Sequence, residues 1–274
     1  MKKTLSSLLV HAALWCTALF VLVPIFWIVL SSFHVGTGLA SSGLIPKELT
    51  LDNYIRLFRE SQYARWYGNT FCVAALNAVC SVLIIIITAW VFSRFSFTGK
   101  KFSLLTMLLL SMFPSFLSMT AIYTLFLRIG LIDQPLALVI IYTAGAIPYH
   151  VWLVKGYLDG IPREIDEAAY IDGCTKLGSF VKIILPLSRP MMTYCAVTQF
   201  MTPWMDYILP NLLLSSDKNR TLAVGLYSMI SGKENLNFTM FAAGAVLIAV
   251  PITVLFIVFQ KNLAQGIASG ANKG

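Results

Sequence analysis

Long uncharged, apolar stretches alternate with shorter polar ones along this chain of 274 residues. A helix needs about 20 mostly apolar residues to cross the hydrocarbon core of a bilayer. Six stretches qualify if the fifth is extended past its one acid, Asp206, into the apolar run that follows. Trimmed at turn residues, they predict spans over residues 9–32, 69–92, 103–127, 136–157, 189–212 and 239–261.

Two features refine the outline of these spans. The first uncharged run extends over residues 4–46, far beyond the roughly 7–15 apolar residues of a signal-peptide core, so we expect an uncleaved helix. Pro114 and Pro148 fall inside the third and fourth spans. Each lacks a backbone donor, which predicts a kink at both positions.

The composition supports a protein that faces lipid. Only 12% of the residues are charged and 58% are hydrophobic, whereas a soluble domain carries about 25% charged residues. The net charge of +8 fits cytoplasmic loops that collect Lys and Arg, and no basic-aromatic motif points to nucleic acid. With the N-terminus inside, the inner segments hold most of these cations. We therefore predict an all-α integral membrane protein, one transmembrane domain over residues 1–274 with both termini cytoplasmic.

Motifs for catalysis, metal binding and nucleotide binding are absent from the sequence. The five cysteines include no CxxC pair, and the histidines show no metal-ligand spacing. The Gly-Lys pairs at 99–100 and 232–233 lack the upstream glycine of a phosphate-binding loop. We expect no catalytic residue, no metal site and no cofactor in this chain.

The loop over residues 158–188, between the fourth and fifth spans, is the longest predicted cytoplasmic connection. Pro162 and the acids after it favour a helix start, and Gly173 can supply the left-handed residue that ends the helix. A second short helix is predicted over residues 179–184, stopping before Pro186. Small and acidic residues suit close approach by a partner, but an ordinary amphipathic linker fits the pattern equally well.

The same loop resembles the signature of ABC importer permeases, in which EAA, a glycine, an isoleucine and Leu-Pro follow at fixed spacing. Each of these positions is filled, together with the aspartate typical of the sugar-permease branch: Glu167, Ala168, Ala169, Asp172, Gly173, Ile183, Leu185 and Pro186. Cys174 departs mildly from the usual alanine. The resemblance implies coupling helices that dock into a cytoplasmic ATPase, with Glu167 in contact and the small residues permitting close approach.

Three further stretches, WYGNT, IPYHVWLVKGYLDGIP and FQKNLAQGIASGANKG, are similar to the maltose- and maltodextrin-type permeases. The similarity is to the second of their two non-identical permease subunits. It implies a second homologous permease, an ATPase dimer that binds ATP and Mg, and an extracellular sugar-binding protein, in a bacterial or archaeal cell membrane. It also implies that the glycine-rich tail reaches the ATPase; a frayed terminus is the alternative for Gly266, Gly270, Lys273 and Gly274.

Maltodextrin is the cargo that this resemblance favours, with galacto-oligosaccharides or another oligosaccharide as the alternative. An ion-coupled carrier is less favoured, because repeated halves and several intramembrane ionisable groups are missing from the sequence.

Two sets of residues are candidates for contact with sugar or with the binding protein. In the fifth span an acid lies among aromatic and amide side chains, which suits a sugar path formed by Gln199, Trp204, Asp206 and Tyr207. An interfacial aromatic belt explains the same pattern. The outer segment 226–235 has a counterpart in the family that reaches into the binding protein, which nominates Leu226, Tyr227, Ser228 and Gly232. A plain connector is the alternative there.

Overall fold

The computed structural model describes residues 2–38, 48–231 and 236–271, and within them the structure is helical, with one isolated β-bridge between His34 and Leu49. The helices in chain order are α1 (Lys2–Ser32), α2 (Asp52–Glu60), α3 (Tyr63–Arg94), α4 (Lys100–Met112), α5 (Met119–Arg128), α6 (Pro135–Asp159), α7 (Glu164–Ile171), α8 (Lys176–Ser179), α9 (Leu185–Leu187), α10 (Arg189–Met205), α11 (Ile208–Leu213), α12 (Leu222–Ser231) and α13 (Phe238–Ala271).

Four helices in the described part of the chain are long and apolar enough to cross a membrane. They are Leu9–Ser32 within α1, all of α3 and α6, and Phe238–Ala264 within α13. They coincide with the first, second, fourth and sixth predicted stretches. The apolar side chains over residues 9–26 of α1 are exposed, Trp15 by 70% and Phe20 by 82%, as expected of a helix that faces lipid.

The third predicted span is broken rather than a single helix over residues 103–127. Helix α4 ends at Met112, Pro114 follows in extended conformation, and the chain resumes at an angle of 90° through a 3-10 turn into α5. Because Pro114 has no N–H to donate, the helix loses a bond at this point. The predicted kink is therefore a full break, and the bent pair makes a fifth span if it is counted as one.

The fifth predicted span is also divided. Helix α10 covers 17 residues and ends at Met205, and Asp206 adopts an extended conformation before α11 begins at Ile208. The acid that interrupts the apolar run in the sequence thus interrupts the helix as well. Pro148, by contrast, lies inside the unbroken helix α6.

The helices form two compact units, of which the larger contains residues 66–223 and 252–274. Its core is a set of apolar side chains from α3, α6, α10 and the loop before α10. The fully buried members include Ile85, Ala89, Val151, Val154, Leu158, Ile184, Met191 and Cys195. A second cluster joins α5, α6 and α11 through Phe126, Leu138, Tyr142, Leu209 and Leu213.

The smaller unit contains residues 1–65 and 224–251, and Asn53 organises its polar contacts. The Asn53 amide donates to the carbonyls of Ser32 at 3.0 Å and His34 at 2.8 Å, and its oxygen accepts from the Thr239 hydroxyl at 3.0 Å. Since Asn53 is 2% exposed, these bonds satisfy a buried amide. They tie α2 to the end of α1 and the start of α13.

Candidate functional site

The loop that leads from α6 to α10 begins with the short helix α7. Its first turn carries Glu164, Asp166 and Glu167, which suit the positive end of a helix. Gly173 has a φ of 83°, in the left-handed region, and Cys174 N–H donates back to the Ala169 carbonyl at 2.9 Å. This closure is the glycine-terminated helix end that the sequence predicts.

The second helical piece starts earlier and continues further than the prediction of residues 179–184. Helix α8 begins at Lys176, where the Thr175 hydroxyl accepts from Gly178 N–H at 3.0 Å. A π-helical turn over Phe180–Ile184 then leads into α9, which contains Pro186. Pro186 therefore does not stop the helix, because the wider turn before it accommodates the missing donor.

One face of this loop presents apolar side chains outward. Ile171 is 87% exposed, Leu177 63% and Tyr170 40%, and they lie beside the exposed Glu167 and Ala168. The exposed Asp172 and Gly173 continue the same face. Burial and the nearby Asp166 raise the pKa of Tyr170, so its hydroxyl stays neutral. We call this surface, formed by Glu167, Ala168, Tyr170, Ile171, Asp172, Gly173 and Leu177, the α7–α8 face.

The other face of α7 packs inside the chain. Ala169 is 3% exposed, so its small side chain permits packing within this chain rather than at the outer surface. Asp166 is 5% exposed and accepts from Arg94 Nε at 2.7 Å. The remaining predicted residues of the loop, Ile183, Leu185 and Pro186, are half-buried at the π-helical turn and α9.

The larger unit contains a cavity of about 500 Å³. Its walls come from α5, α6, α10 and α11: Met119, Ile122, Ile141, Tyr142, Gly145, Ala146, Tyr149, His150, Gln199, Thr202, Asp206, Ile208 and Leu209. Two of the four residues predicted for a sugar path, Gln199 and Asp206, belong to this wall. Trp204 and Tyr207 are not part of it; Trp204 is 5% exposed and stacks edge-to-face on Tyr67.

Asp206 has a structural role as well as a place on the cavity wall. Its Oδ1 accepts from the backbone N–H groups of Ile208 at 2.9 Å and Leu209 at 3.3 Å, which caps the start of α11. Its Oδ2 accepts from the Tyr142 hydroxyl at 2.8 Å. Both oxygens are thus engaged, and Tyr142 joins the site as a residue that the sequence analysis missed.

Gln199 belongs to a buried polar network that crosses three helices. Asn77 of α3 donates to the Gln199 carbonyl at 2.8 Å, and Thr143 of α6 donates to Asn77 Oδ1 at 3.2 Å. The Gln199 amide nitrogen lies 3.3 Å from Nε2 of His150, whose Nδ1 is 2.9 Å from the Ala146 carbonyl. Hydrogen bonds of this kind hold membrane helices together. A polar residue inside an apolar run, such as Asn77, is the signal that could have pointed to the network.

The residues predicted to contact a binding protein divide into buried and exposed ones. Leu226, Tyr227 and Ser228 lie on α12, where Leu226 is 3% exposed and therefore unavailable to a partner, because it packs against Gly244. Tyr227 is 45% exposed, and Ser228 is exposed while its hydroxyl donates to the Gly225 carbonyl at 2.6 Å. Gly232 lies outside the described residues.

Two further predictions concern the C-terminal tail and metal-binding side chains. Helix α13 runs on to Ala271 and includes Gly266 and Gly270, whereas Lys273 and Gly274 lie outside the described residues. Among the residues that the structure describes, no three His, Cys, Asp or Glu side chains group closely enough to hold a metal ion.

Comparison with known proteins places these features in a family. Residues 81–269 match the model of the binding-protein-dependent transport system inner membrane component. The maltodextrin transport system permease protein of Bacillus subtilis (strain 168) is 40% identical, covering 99% of this chain and 98% of that protein. The galactooligosaccharides transport system permease protein of the same strain is 39% identical, covering 94% and 92% of the two chains.

Solved structures show the same fold. A bacterial ABC transporter involved in the import of the acidic polysaccharide alginate has a chain that superposes with a TM-score of 0.83 at 21% identity, over 95% of this chain and 97% of that one. A bacterial alginate ABC transporter in complex with its alginate pentasaccharide-bound periplasmic protein gives a TM-score of 0.68 at 16% identity, over 92% of each chain. With the family match spanning α7, α8 and the cavity wall, the chain belongs to the binding-protein-dependent transport system inner membrane component family.

Proposed function

We propose that this chain is a permease subunit of an ATP-driven importer and forms half of the pathway for an oligosaccharide. Maltodextrin is the first candidate for the cargo and a galacto-oligosaccharide the second, because these are the sugars named for the relatives at 40% and 39% identity. The chain itself binds neither ATP nor metal in this proposal. A partner ATPase dimer binds both, and a second, homologous permease completes the pathway.

The proposed topology has six spans, with both termini in the cytoplasm of a bacterial or archaeal cell. The bent pair of α4 and α5 is the third span, and α10 with α11 is the fifth. Both are broken helices of the kind that membrane proteins tolerate where the freed backbone groups find partners. Asp206 provides such partners at the break before α11. This topology puts α7 and α8 in the cytoplasm.

The α7–α8 face is the observation that carries the proposal. Ile171 and Leu177 are exposed by 87% and 63% on a short helical loop between two spans, next to the exposed Glu167. Apolar side chains grouped on a loop that lies in water mark a docking surface for another protein. Small residues beside them, Ala168 and Gly173, let a partner approach the backbone closely. We assign this face to the ATPase.

The assignment is tested by co-purification of the ATPase with the permeases. Burying an isoleucine contributes about 1.5–3 kcal/mol, so Ile171→Ala should weaken binding of the ATPase by about tenfold or more. Leu49 is a matched control, since it is 71% exposed and lies on the opposite side in the proposed topology. Leu49→Ala should leave the affinity unchanged. Equal affinities for the two variants would exclude the α7–α8 face as the docking surface.

The cavity is the proposed contact of this subunit with sugar. It combines the faces of Tyr142 and Tyr149 with the polar groups of Gln199, Thr202 and Asp206. Aromatic faces with a few convergent polar groups suit a small polar ligand. Tyr149 is 55% exposed and makes the most accessible aromatic face of the wall. Trp204 and Tyr207, which the sequence also nominated, lie outside this wall, and Trp204 packs edge-to-face on Tyr67.

The cargo is identified by the sugar that stimulates ATP hydrolysis in the reconstituted complex with its binding protein. We expect maltodextrins to stimulate ATP hydrolysis. In a Tyr149→Ala variant, the dependence of this stimulation on the length of the maltodextrin should change, while the complex still assembles. Stimulation by galacto-oligosaccharides alone would favour the second candidate. For the binding protein, Tyr227 and Ser228 are the exposed candidates on α12, and Tyr227→Ala should weaken its docking.

A further inference from the structure

A buried charged cluster lies directly behind the α7–α8 face. Arg94, the last residue of α3, donates through Nε to Asp166 Oδ2 at 2.7 Å, and the two side chains are only 8% and 7% exposed. Asp166 Oδ1 accepts from the Ser179 hydroxyl at 2.9 Å. We call Arg94, Asp166 and Ser179 the Arg94 cluster. It joins the end of α3 to both helical pieces of the loop.

The same guanidinium also holds the end of α6. Arg94 Nη1 donates to the Leu158 carbonyl at 2.9 Å, and Nη2 donates to the Ile161 carbonyl at 3.0 Å. The Leu158 carbonyl lies in the last turn of α6 and also accepts from Ile161 N–H at 3.1 Å, so Arg94 adds a side-chain donor to the backbone closure of this helix end. Arginine suits this task because its planar donors point in several fixed directions at once. The Arg94 side chain therefore connects α3, the end of α6 and α7, and Asp166 extends the connection to Ser179 of α8.

Because the ion pair is buried, it contributes little net free energy to the stability of the fold. A buried ion pair loses its hydration, and well-packed apolar residues of similar size often give equal or greater stability. The charged pair instead provides directional hydrogen bonds, which fix the position of α7 relative to the ends of α3 and α6. A rigid link at this point is what a moving docking surface requires.

Helix α7 is connected to α3 by the ion pair with Arg94 and by a bond from Arg163, its N-cap, to the Ser93 carbonyl at 3.3 Å. The segment after α8 has its own apolar anchors on α3, since Phe180 stacks on Trp90 with ring centroids 4.4 Å apart. The ends of α3 and α6 also have a separate bond, from the Ser93 hydroxyl to Asp159 Oδ1 at 2.7 Å. Asp166 supplies the charged bonds that tie the inner face of α7 to this junction.

We propose that Arg94 and Asp166 are positioning residues that transmit movement of α7 to the ends of the spans α3 and α6. The proposal rests on the proposed function, in which an ATPase docks on the α7–α8 face. The outer side of α7 receives the ATPase, and the inner side passes its displacement to Arg94. Loss of the ion pair disconnects ATP hydrolysis from transport while leaving the docking surface in place.

The test uses the complete complex of both permeases and the ATPase, reconstituted with its binding protein. Asp166→Asn and Arg94→Gln should retain the ATPase on co-purification and keep sugar-stimulated hydrolysis. The transport per ATP hydrolysed should fall by roughly tenfold, within the range typical of coupling between two sites. The matched control is Asp217→Asn, which removes the acid of a separate ion pair, formed with Arg220 at 3.0 Å in the segment between α11 and α12. It should retain normal coupling.

A double variant separates positioning from stability. Arg94→Met with Asp166→Leu replaces the ion pair by an apolar pair, which should keep folding and assembly while the directed hydrogen bonds are lost. If transport per ATP stays low in this variant, the bonds themselves transmit the movement. If the apolar pair restores coupling, or if the single variants transport normally, the proposal is overturned. A wild-type complex that fails to retain the ATPase would instead contradict the proposed function.

Discussion

Removal of the Asp206 carboxylate tests whether this acid holds the break between α10 and α11. In Asp206→Ala, the first turn of α11 loses the acceptor for Ile208 and Leu209 N–H, and loss of such a cap costs about 0.5–2 kcal/mol. Tyr142, 8% exposed, loses the acceptor for its hydroxyl, and an unsatisfied buried group costs about 1–3 kcal/mol. We expect the free energy of unfolding to fall by about 2–4 kcal/mol in total. The loss lies at the lower end of this range if water in the cavity reaches the Tyr142 hydroxyl.

The Asn variant provides the contrast. Asp206→Asn keeps Oδ1 as the acceptor for the cap, and the Tyr142 hydroxyl can turn to accept from the new amide. The expected loss is therefore below about 1 kcal/mol. Unfolding by SDS titration in mixed micelles measures both values. A cycle with Tyr142→Phe should show that Asp206 and Tyr142 are coupled by about 0.5–3 kcal/mol, the range found for residues in contact.

The refuting result is a stable Asp206→Ala variant. A change in the free energy of unfolding within about 0.5 kcal/mol of wild type would equal that of an ordinary surface substitution. In that case the geometry at the break would not depend on the carboxylate. A strong loss of transport with unchanged stability would then assign Asp206 to the sugar path alone. A loss of both in Asp206→Ala but neither in Asp206→Asn would support the cap.

Three further variants test other parts of the fold. Gly173→Val should abolish uptake and uncouple ATP hydrolysis, because a φ of 83° costs a residue with a side chain about 1–2 kcal/mol and tilts the end of α7; normal uptake would contradict this. Gly244→Ala should destabilise the protein by about 1–3 kcal/mol in SDS titration, since its new methyl would overlap Leu226 and lie 3.2 Å from Tyr63 Cε2. Desolvation raises the pKa of Asp133, but hydrogen bonds from Ser216, Ser215 and Asn219 outweigh it and hold the pKa below the ordinary 3.8. The stability from Asp133 is present above that ordinary value and is lost as pH falls through the lowered pKa, so the difference in thermal stability between wild type and Asp133→Asn should vanish in acid; a difference independent of pH would contradict the linkage.

The sequence predicted the features that depend on local pattern. Apolar runs located α1, α3, α6 and α13, because the length needed to cross lipid is a property of the run itself. Gly173 ended α7 as predicted, since a left-handed residue is a local requirement. Asp206 was marked as unusual by its apolar surroundings alone. Its partner Tyr142 was not, because the two are 64 positions apart in the chain.

The errors share a physical cause, which is compensation by neighbours that the local pattern does not show. Pro186 was expected to stop a helix, but the π-helical turn before it absorbs the missing donor. Pro114 was expected to produce a kink, but the chain breaks by 90° there. Leu226 was expected at the surface, yet Gly244 leaves room for it to be buried in the smaller unit. Arg94 is the last residue of α3, and no local pattern marks its buried partner, which lies 72 positions away.

The alanine pair of α7 shows how one motif divides between two surfaces. Successive residues of a helix point about 100° apart, so adjacent side chains face different neighbours. Ala168 is exposed beside Glu167, whereas Ala169 is 3% exposed and shares the inner face with Asp166, three positions earlier. The small side chain of Ala168 therefore permits close approach by a partner, whereas that of Ala169 permits close packing on the core of this chain. A bulky residue at position 168 should weaken ATPase binding, whereas the same residue at position 169 should displace α7 from the Arg94 cluster. Only the outer substitution acts on the docking surface itself, which is why the two adjacent positions separate binding from transmission.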